Sequence, residues 1–241
     1  MRAVTIASVM SFAVAASTQA ALVASNLPAT NSSGFAYGLT SDAISSNGSY
    51  YYHQAAAVSI TVGQAWSLAQ LTFWGSSEAF NAPGLANFSG FQATIYNSTF
   101  TQVIAQRTWT MAQLATITTG NTNTAGGIEY QFAGSLSGIT LASAGNYRIS
   151  IGAVLADPQG DAFVWTAGQT AGGGYTTGNS GTWGATWTAN SPIQGTGSFM
   201  LFGNAVPAPG GLALLALAAM GSRRRRARSE EHTSELQSRQ Y

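Results

Sequence analysis

The side chains able to do polar chemistry are few enough to take one by one. Between residues 21 and 205 lie five carboxylates (Asp42, Glu78, Glu129, Asp157, Asp161), two arginines (Arg107, Arg148) and one histidine (His53), with no cysteine and no lysine. Asp157-Pro158-Gln159-Gly160-Asp161 sets two carboxylates around a glycine turn. Helped by backbone carbonyls, such a pair can hold calcium, a hard cation that prefers oxygen. The pentapeptide lacks the alternating acids of an EF-hand loop, and it reads first as an Asx-type turn bent by Pro158. Glycoside hydrolysis needs two facing carboxylates; Glu78 and Glu129 are the glutamates available, and the sequence leaves their separation open. His53 follows Tyr50-Tyr51-Tyr52, but no Gly-x-Ser-x-Gly elbow supplies it with a nucleophile. The inventory points away from an enzyme.

Aromatic chemistry is better supplied, with six tryptophans and nine tyrosines. Flat rings can stack on sugar rings, and they can equally fill a core. Trp74, Trp109 and Trp165 sit inside apolar, strand-like runs and are expected in the core. Trp183 and Trp187 border a glycine-rich stretch, Thr166–Gly184, that also holds Tyr175. These three are the expected ligand-facing residues if the domain binds carbohydrate.

The elements that must position these groups read as strands. Short runs rich in β-branched and aromatic residues are separated by Gly, Asn, Ser and Pro. Strands are expected at Ala56–Thr61, Leu68–Trp74, Phe91–Tyr96, Val103–Trp109, Ile128–Phe132, Tyr147–Ile151, Phe163–Thr166, Trp183–Trp187 and Ser198–Phe202. Phe91–Tyr96 and Tyr147–Ile151 alternate apolar with polar or mixed positions, the period of a half-buried strand. Trp109–Ala115 hints at one helical turn, while Thr118–Gly127 and Thr166–Gly184 read as long loops. The expected fold is all-β: a single β-sandwich, jelly-roll-like, over residues 25–204. Only 7% of the chain is charged, against roughly 25% in an average soluble protein. Residues 21–205 carry a net charge of 2 − 5 = −3, which excludes a basic nucleic-acid binder.

Both ends read as addresses. Residues 1–20 carry Arg2, an apolar run from Ala3 to Ala16, and small residues Thr18 and Ala20 where a signal peptidase reads. This predicts a secretory signal peptide cut after Ala20 or Ala24. At the other end, Val206-Pro207-Ala208-Pro209-Gly210 precedes the apolar segment Leu212–Met220, with its anchoring leucines Leu212, Leu214, Leu215 and Leu217. Arg223, Arg224, Arg225 and Arg226 follow and favour the cytoplasmic side. This order suits a short apolar helix that anchors the chain transiently in the inner membrane; an ordinary C-terminal anchor is the alternative.

Residues 206–226, with their proline motif, apolar helix and arginine cluster, resemble a PEP-CTERM sorting signal, also catalogued as an ice-binding protein C-terminal domain. The resemblance implies processing by an exosortase, a membrane protease-transpeptidase of Gram-negative bacteria that make extracellular polysaccharide. Ala208 stands where that family usually has glutamate. The runs Leu71–Ser76, Phe91–Asn97, Ala144–Gly152, Ala162–Trp165 and Ser198–Gly203 loosely resemble the ectodomains that precede such signals. The final stretch is of another kind. Arg228–Ser238 reads RSEEHTSELQS and resembles the in-frame translation of a common sequencing-library adapter, so no chemistry is expected within residues 228–241. Together these features predict a non-enzymatic, exported protein of the cell surface or extracellular matrix. It is held transiently at the inner membrane and is a partner of an exosortase; the alternative is a carbohydrate-binding module acting on exopolysaccharide.

Overall fold

Alternation along the strands explains why they pair into layers. In β10 (Gly145–Leu155), Tyr147, Ile149, Ile151, Ala153 and Leu155 are buried at every second position, the spacing that puts them on one face of a strand. In β3 (Ala55–Val62), Ala56, Val58, Ile60 and Val62 do the same. The computed structural model describes residues 19–29, 39–40, 55–77, 84–122, 127–156, 163–169, 174–177, 187–189 and 196–207, with 39–40, 174–177 and 187–189 as backbone alone.

The remaining strands are β1 (Ala21–Asn26), β2 (Leu39–Thr40), β4 (Trp66–Ser77), β5 (Phe88–Asn97), β6 (Val103–Thr110), β7 (Ala115–Thr122), β8 (Ile128–Ser135), β9 (Thr140–Leu141), β11 (Phe163–Trp165), β12 (Gly174–Thr177), β13 (Trp187–Ala189) and β14 (Phe199–Ala205). All pairings are antiparallel and fall into two sheets. One holds β1-β14-β4-β8 with β7, β9, β11 and β2 attached; the other runs β13-β12-β3-β10-β5-β6. The two four-strand cores, β1-β14-β4-β8 and β3-β10-β5-β6, take their strands in the alternating order of a jelly roll. The expected all-β sandwich is the fold.

Between the sheets sits a phenylalanine layer. The Phe73 ring stacks on Phe132 at 5.1 Å and meets Phe91 edge-on at 5.1 Å, while Phe91 meets Phe163 at 4.9 Å. Such pairs add about 0.5–1.5 kcal/mol each beyond area burial. Two core tryptophans satisfy their indole N–H groups on backbone: Trp165 donates to Ser198 O at 2.9 Å and Trp109 to Ser135 O at 2.9 Å. Trp165 also lies so close to Gly197 that a Cβ there would sit 2.2 Å from its ring.

Several boundaries differ from the sequence reading. β1 starts at Ala21, so the paired structure begins four residues before position 25. Thr118–Gly127 is not all loop, because β7 runs through Thr122, paired with β8. Both faces of β7 are exposed except at Thr119, which is half-buried; with no buried face it carries no apolar alternation. Within Thr166–Gly184, residues Gly174–Thr177 form β12 against β3. Of the expected Trp183–Trp187 strand, Trp187 lies among the described residues and opens β13, while Trp183 lies outside them. The helical turn is a single 3-10 turn, Met111–Gln113, carrying the chain from one sheet to the other; Gln113 Oε1 accepts from the Thr110 N–H at 2.9 Å.

The sandwich has two unlike ends. Ala21 pairs with Gly203 and Ala205 with Trp66, so both chain ends leave together. The Val206 N–H donates to Ala65 O at 3.0 Å, pinning that exit to the β3–β4 turn. The β5–β6 turn and the start of β10 lie at this same end, since Tyr147 pairs with Asn97 and Gly145 with Val62. We call it the terminal end. At the distal end β4 stops at Ser77, β10 runs to Leu155, β5 starts at Phe88 and β11 starts at Phe163.

Phe73→Ala removes the ring shared by two of these aromatic contacts and is expected to cost about 3–5 kcal/mol, read as a lowered urea midpoint with unchanged slope. Gly197→Ala forces a Cβ into Trp165 and is expected to cost about 1–3 kcal/mol in the same measurement.

Candidate functional site

Of the residues expected to do chemistry, the described part of the molecule holds only some. His53, Glu78, Asp157, Asp161 and Trp183 lie outside it, as do Ala208 to Arg226 and the tail. The Asp157–Asp161 calcium pair and the Glu78–Glu129 separation are therefore untouched by the geometry. Among the described residues no group of three or more His, Cys, Asp or Glu side chains could hold a metal ion. Nor is any helix among them long and apolar enough to cross a membrane.

Glu129, the one described carboxylate, is 2% exposed. It stands on β8 one residue before Tyr130, which pairs with Gly75 of β4. Its Oε2 accepts from Thr119 Oγ1 at 2.6 Å and from Asn121 Nδ2 at 2.8 Å, and its Oε1 from Thr166 Oγ1 at 2.9 Å. Two donors come from β7 and the third from the residue after β11, so one carboxylate ties three segments together. All three donors are neutral. Burying a carboxylate is costly unless hydrogen bonds replace its water, and these supply that replacement. A carboxylate so engaged is a brace, with no oxygen turned toward a substrate. The sequence offered no sign of this, because Thr119 and Asn121 fell in a stretch read as loop.

Tyr175 and Trp187 are brought together at the level of the backbone. Tyr175 pairs with Ala189 and Thr177 with Trp187, so Tyr175 and Trp187 stand two register positions apart on one two-stranded ribbon. Their separation of twelve residues along the chain hides this neighbourhood. β12 pairs with β3 from Gly174↔Val58 to Thr177↔Ala55. Next to it, a cavity of about 280 Å³ opens between β1 and β3. Asn26, Ser59, Thr61 and Thr196 supply polar groups to its wall, and Val58 and Phe199 supply apolar surface. None of the residues lining it carries an ionisable side chain. Asn26 is held in place by donating from Nδ2 to Thr196 Oγ1 at 2.5 Å and to Gly197 O at 3.1 Å.

The arginines bind their own fold. Arg107 donates from Nη2 to Ser137 O at 2.5 Å, bridging the two sheets at the β6 edge. Arg148 lies over the Phe100 ring, 5.9 Å from its centroid, a distance at which the ring quadrupole attracts a cation. The phenol of Tyr96 is pushed above the ordinary tyrosine value by burial, partly offset by its hydrogen bond with Thr94.

No protein-family model matches the chain, and no curated protein matches it. The functional reading therefore rests on residues and geometry.

Glu129→Ala leaves buried Thr166, half-buried Thr119 and exposed Asn121 without their acceptor and is expected to cost about 1–3 kcal/mol in urea unfolding; an unchanged midpoint would remove the brace. A raised Tyr96 pKa favours the neutral phenol in the folded state. Its contribution is full below the unfolded value near 10 and is lost as pH rises through the folded value. Alkaline unfolding should therefore begin later and fall less steeply in Tyr96→Phe.

Proposed function

We propose that this protein is a non-enzymatic, exported component of a bacterial surface or extracellular matrix. In this reading it is delivered through its N-terminal leader and sorted through Val206–Gly210 by an exosortase. One observation carries the reading. β1 begins at Ala21 and β14 ends at Ala205, and the two pair with each other, so a cut after Ala20 and one within Val206–Gly210 lie just outside the paired strands. A leader cut after Ala20 leaves β1 whole. A cut after Ala24 removes four of its six residues, with the partners of Gly203, Phe202 and Leu201. Val206 and Pro207 are exposed, as a processing enzyme requires of the residues entering its site. The braced state of Glu129 and the scarcity of other ionisable groups support the non-enzymatic half of the reading.

A second reading, carbohydrate binding, is favoured by the cavity between β1 and β3. Its uncharged hydroxyl and amide groups adjoin the β12–β13 ribbon that carries Tyr175 and Trp187, a pairing of polar groups and rings that suits a neutral sugar. Exopolysaccharide retardation in affinity electrophoresis that is lost in Trp187→Ala would select it.

The sorting reading is tested in cells. The mature N-terminus should be Ala21 by N-terminal sequencing, and a start at Ser25 would contradict the strand argument. A chain stopped after Pro207 keeps β14 whole but lacks the apolar segment; it should leave the membrane fraction and appear unprocessed in the medium. Fractionation identical to the full chain would refute sorting through this segment.

A further inference from the structure

We propose that the terminal end of the sandwich is a docking face for the phospholipid surface, so that before processing the domain sits end-on on the bilayer. The proposal rests on the C-terminal anchor reading and adds an orientation and a contact surface to it. Three observations converge on this end.

The first is tether length. The Val206 N–H is pinned to Ala65 O at 3.0 Å, and only Pro207 to Gly211 separate it from Leu212, the first residue of the apolar segment. At about 3.3–3.6 Å per residue, six steps reach at most about 22 Å. The headgroup layer takes up roughly 5–8 Å of that. β4 has twelve residues and so extends about 40 Å at about 3.3 Å per residue. The tether is thus roughly half the height of the domain, and the end that carries it cannot move far from the lipid.

The second is the distribution of exposed apolar side chains. Leu22, Val103, Ile104 and Val206 are 53%, 52%, 37% and 38% exposed, and all four belong to the terminal end through the pairings Leu22↔Phe202 and Tyr96↔Val103. Leu27, Ile117 and Ile128, the other exposed large apolar residues among those described, lie away from it. Scattered apolar residues need no explanation; four flanking the tether exit and the turns beside it form a set.

The third is charge. The turns of this end, Gly63–Ala65, Asn97–Gln102 and Ala142–Ala144, hold no charged residue. Among the described residues the charges near them are the Arg148 guanidinium over Phe100 and the Arg107 guanidinium on Ser137 O, both cationic. Glu129 stands near the distal start of β8, and in sequence Glu78 and Asp157 directly follow Ser77 and Ala156, where β4 and β10 leave the distal end. Phosphate headgroups repel carboxylates, so this arrangement lets the terminal end approach and turns the acids away. The polar turns and Val206 then meet the headgroups first, and Val103, Ile104 and Leu22 flank them just behind, level with Tyr96 and Phe202.

The native chain has no cysteine, which makes site-specific labelling clean. Full-length chains carrying Gln64→Cys or Ser143→Cys at the terminal end, or Ala86→Cys or Thr122→Cys at the distal end, are labelled with a fluorophore. They are then reconstituted into vesicles of phosphatidylethanolamine and phosphatidylglycerol that carry a headgroup nitroxide quencher. Each is also made with a flexible insert of about twenty Gly/Ser residues between Val206 and Pro207. With the native tether, quenching should be several-fold stronger at Gln64→Cys and Ser143→Cys. With the insert the difference should persist, because the face itself holds the lipid, and Leu22→Glu with Val103→Glu should then abolish it. Equal quenching at both ends in the inserted chain overturns the docking face, since the tether alone would then set the orientation. Failure of the unmodified chain to float with the vesicles overturns the anchor reading itself, a separate readout from quenching.

Discussion

The structure depends on satisfying the backbone of β4. This strand is buried over most of its length, and its polar groups have to be paired inside the protein. Four strands do it between them. β14 covers one edge from Trp66 to Phe73 and β11 continues that edge from Gly75 to Ser77. β9 and β8 cover the other edge in the same succession. Where β14 hands over to β11, the Ser198 N–H donates to Thr166 O at 2.8 Å and an Ala167–Gly197 bridge closes the seam. Gly75 sits at the crossing, opposite both Tyr130 and Trp165, and a Cβ there would fall 2.1 Å from the Phe163 ring. Glycine is required at this point by close approach alone. The phenylalanine layer then follows, because β4 and its neighbours present Phe73, Phe132 and Phe163 to Phe91 on the facing sheet.

The same arrangement decides where the termini go. β14 lies between β4 and β1, so the last strand of the domain is also the template for the first. β1 can join the sheet only after the C-terminal strand has been made, and the N- and C-terminal junctions emerge side by side. Paired residues run right up to both junctions, Ala21 at one and Ala205 at the other. Polarity along the strands follows as well: tight turns and the two exits lie at one end, and β4 and β10 leave from the other.

Much of the fold was legible because its strands bury one face. The alternation of Tyr147, Ile149 and Ile151, and the aromatic runs around Phe73 and Phe91, mark strands without any tertiary knowledge. Trp74, Trp109 and Trp165 were also placed correctly, at 8%, 4% and 0% exposure. β7 was invisible for a physical reason: it overhangs the sandwich and buries almost nothing, so its Thr-rich sequence resembles a connector. β12 was missed because its membership comes from pairing with β3 and β13, a non-local property that four residues of Gly-Tyr-Thr-Thr do not advertise. β1 is hidden by its position beside residues 1–20, whose apolar run reads as an export signal.

Low charge is the constraint that joins fold to chemistry. With no lysine in the chain and two arginines in the domain, a carboxylate that becomes buried on folding has few cations to meet. Glu129 is held by two threonines and an asparagine, and both arginines turn to backbone carbonyls or to an aromatic ring. The polar contacts described here are thus mostly between neutral groups, which ionic strength screens little. A surface of this kind presents hydroxyls, amides and rings to its surroundings and few charges. Contacts made through such groups depend as little on ionic strength as those inside the fold.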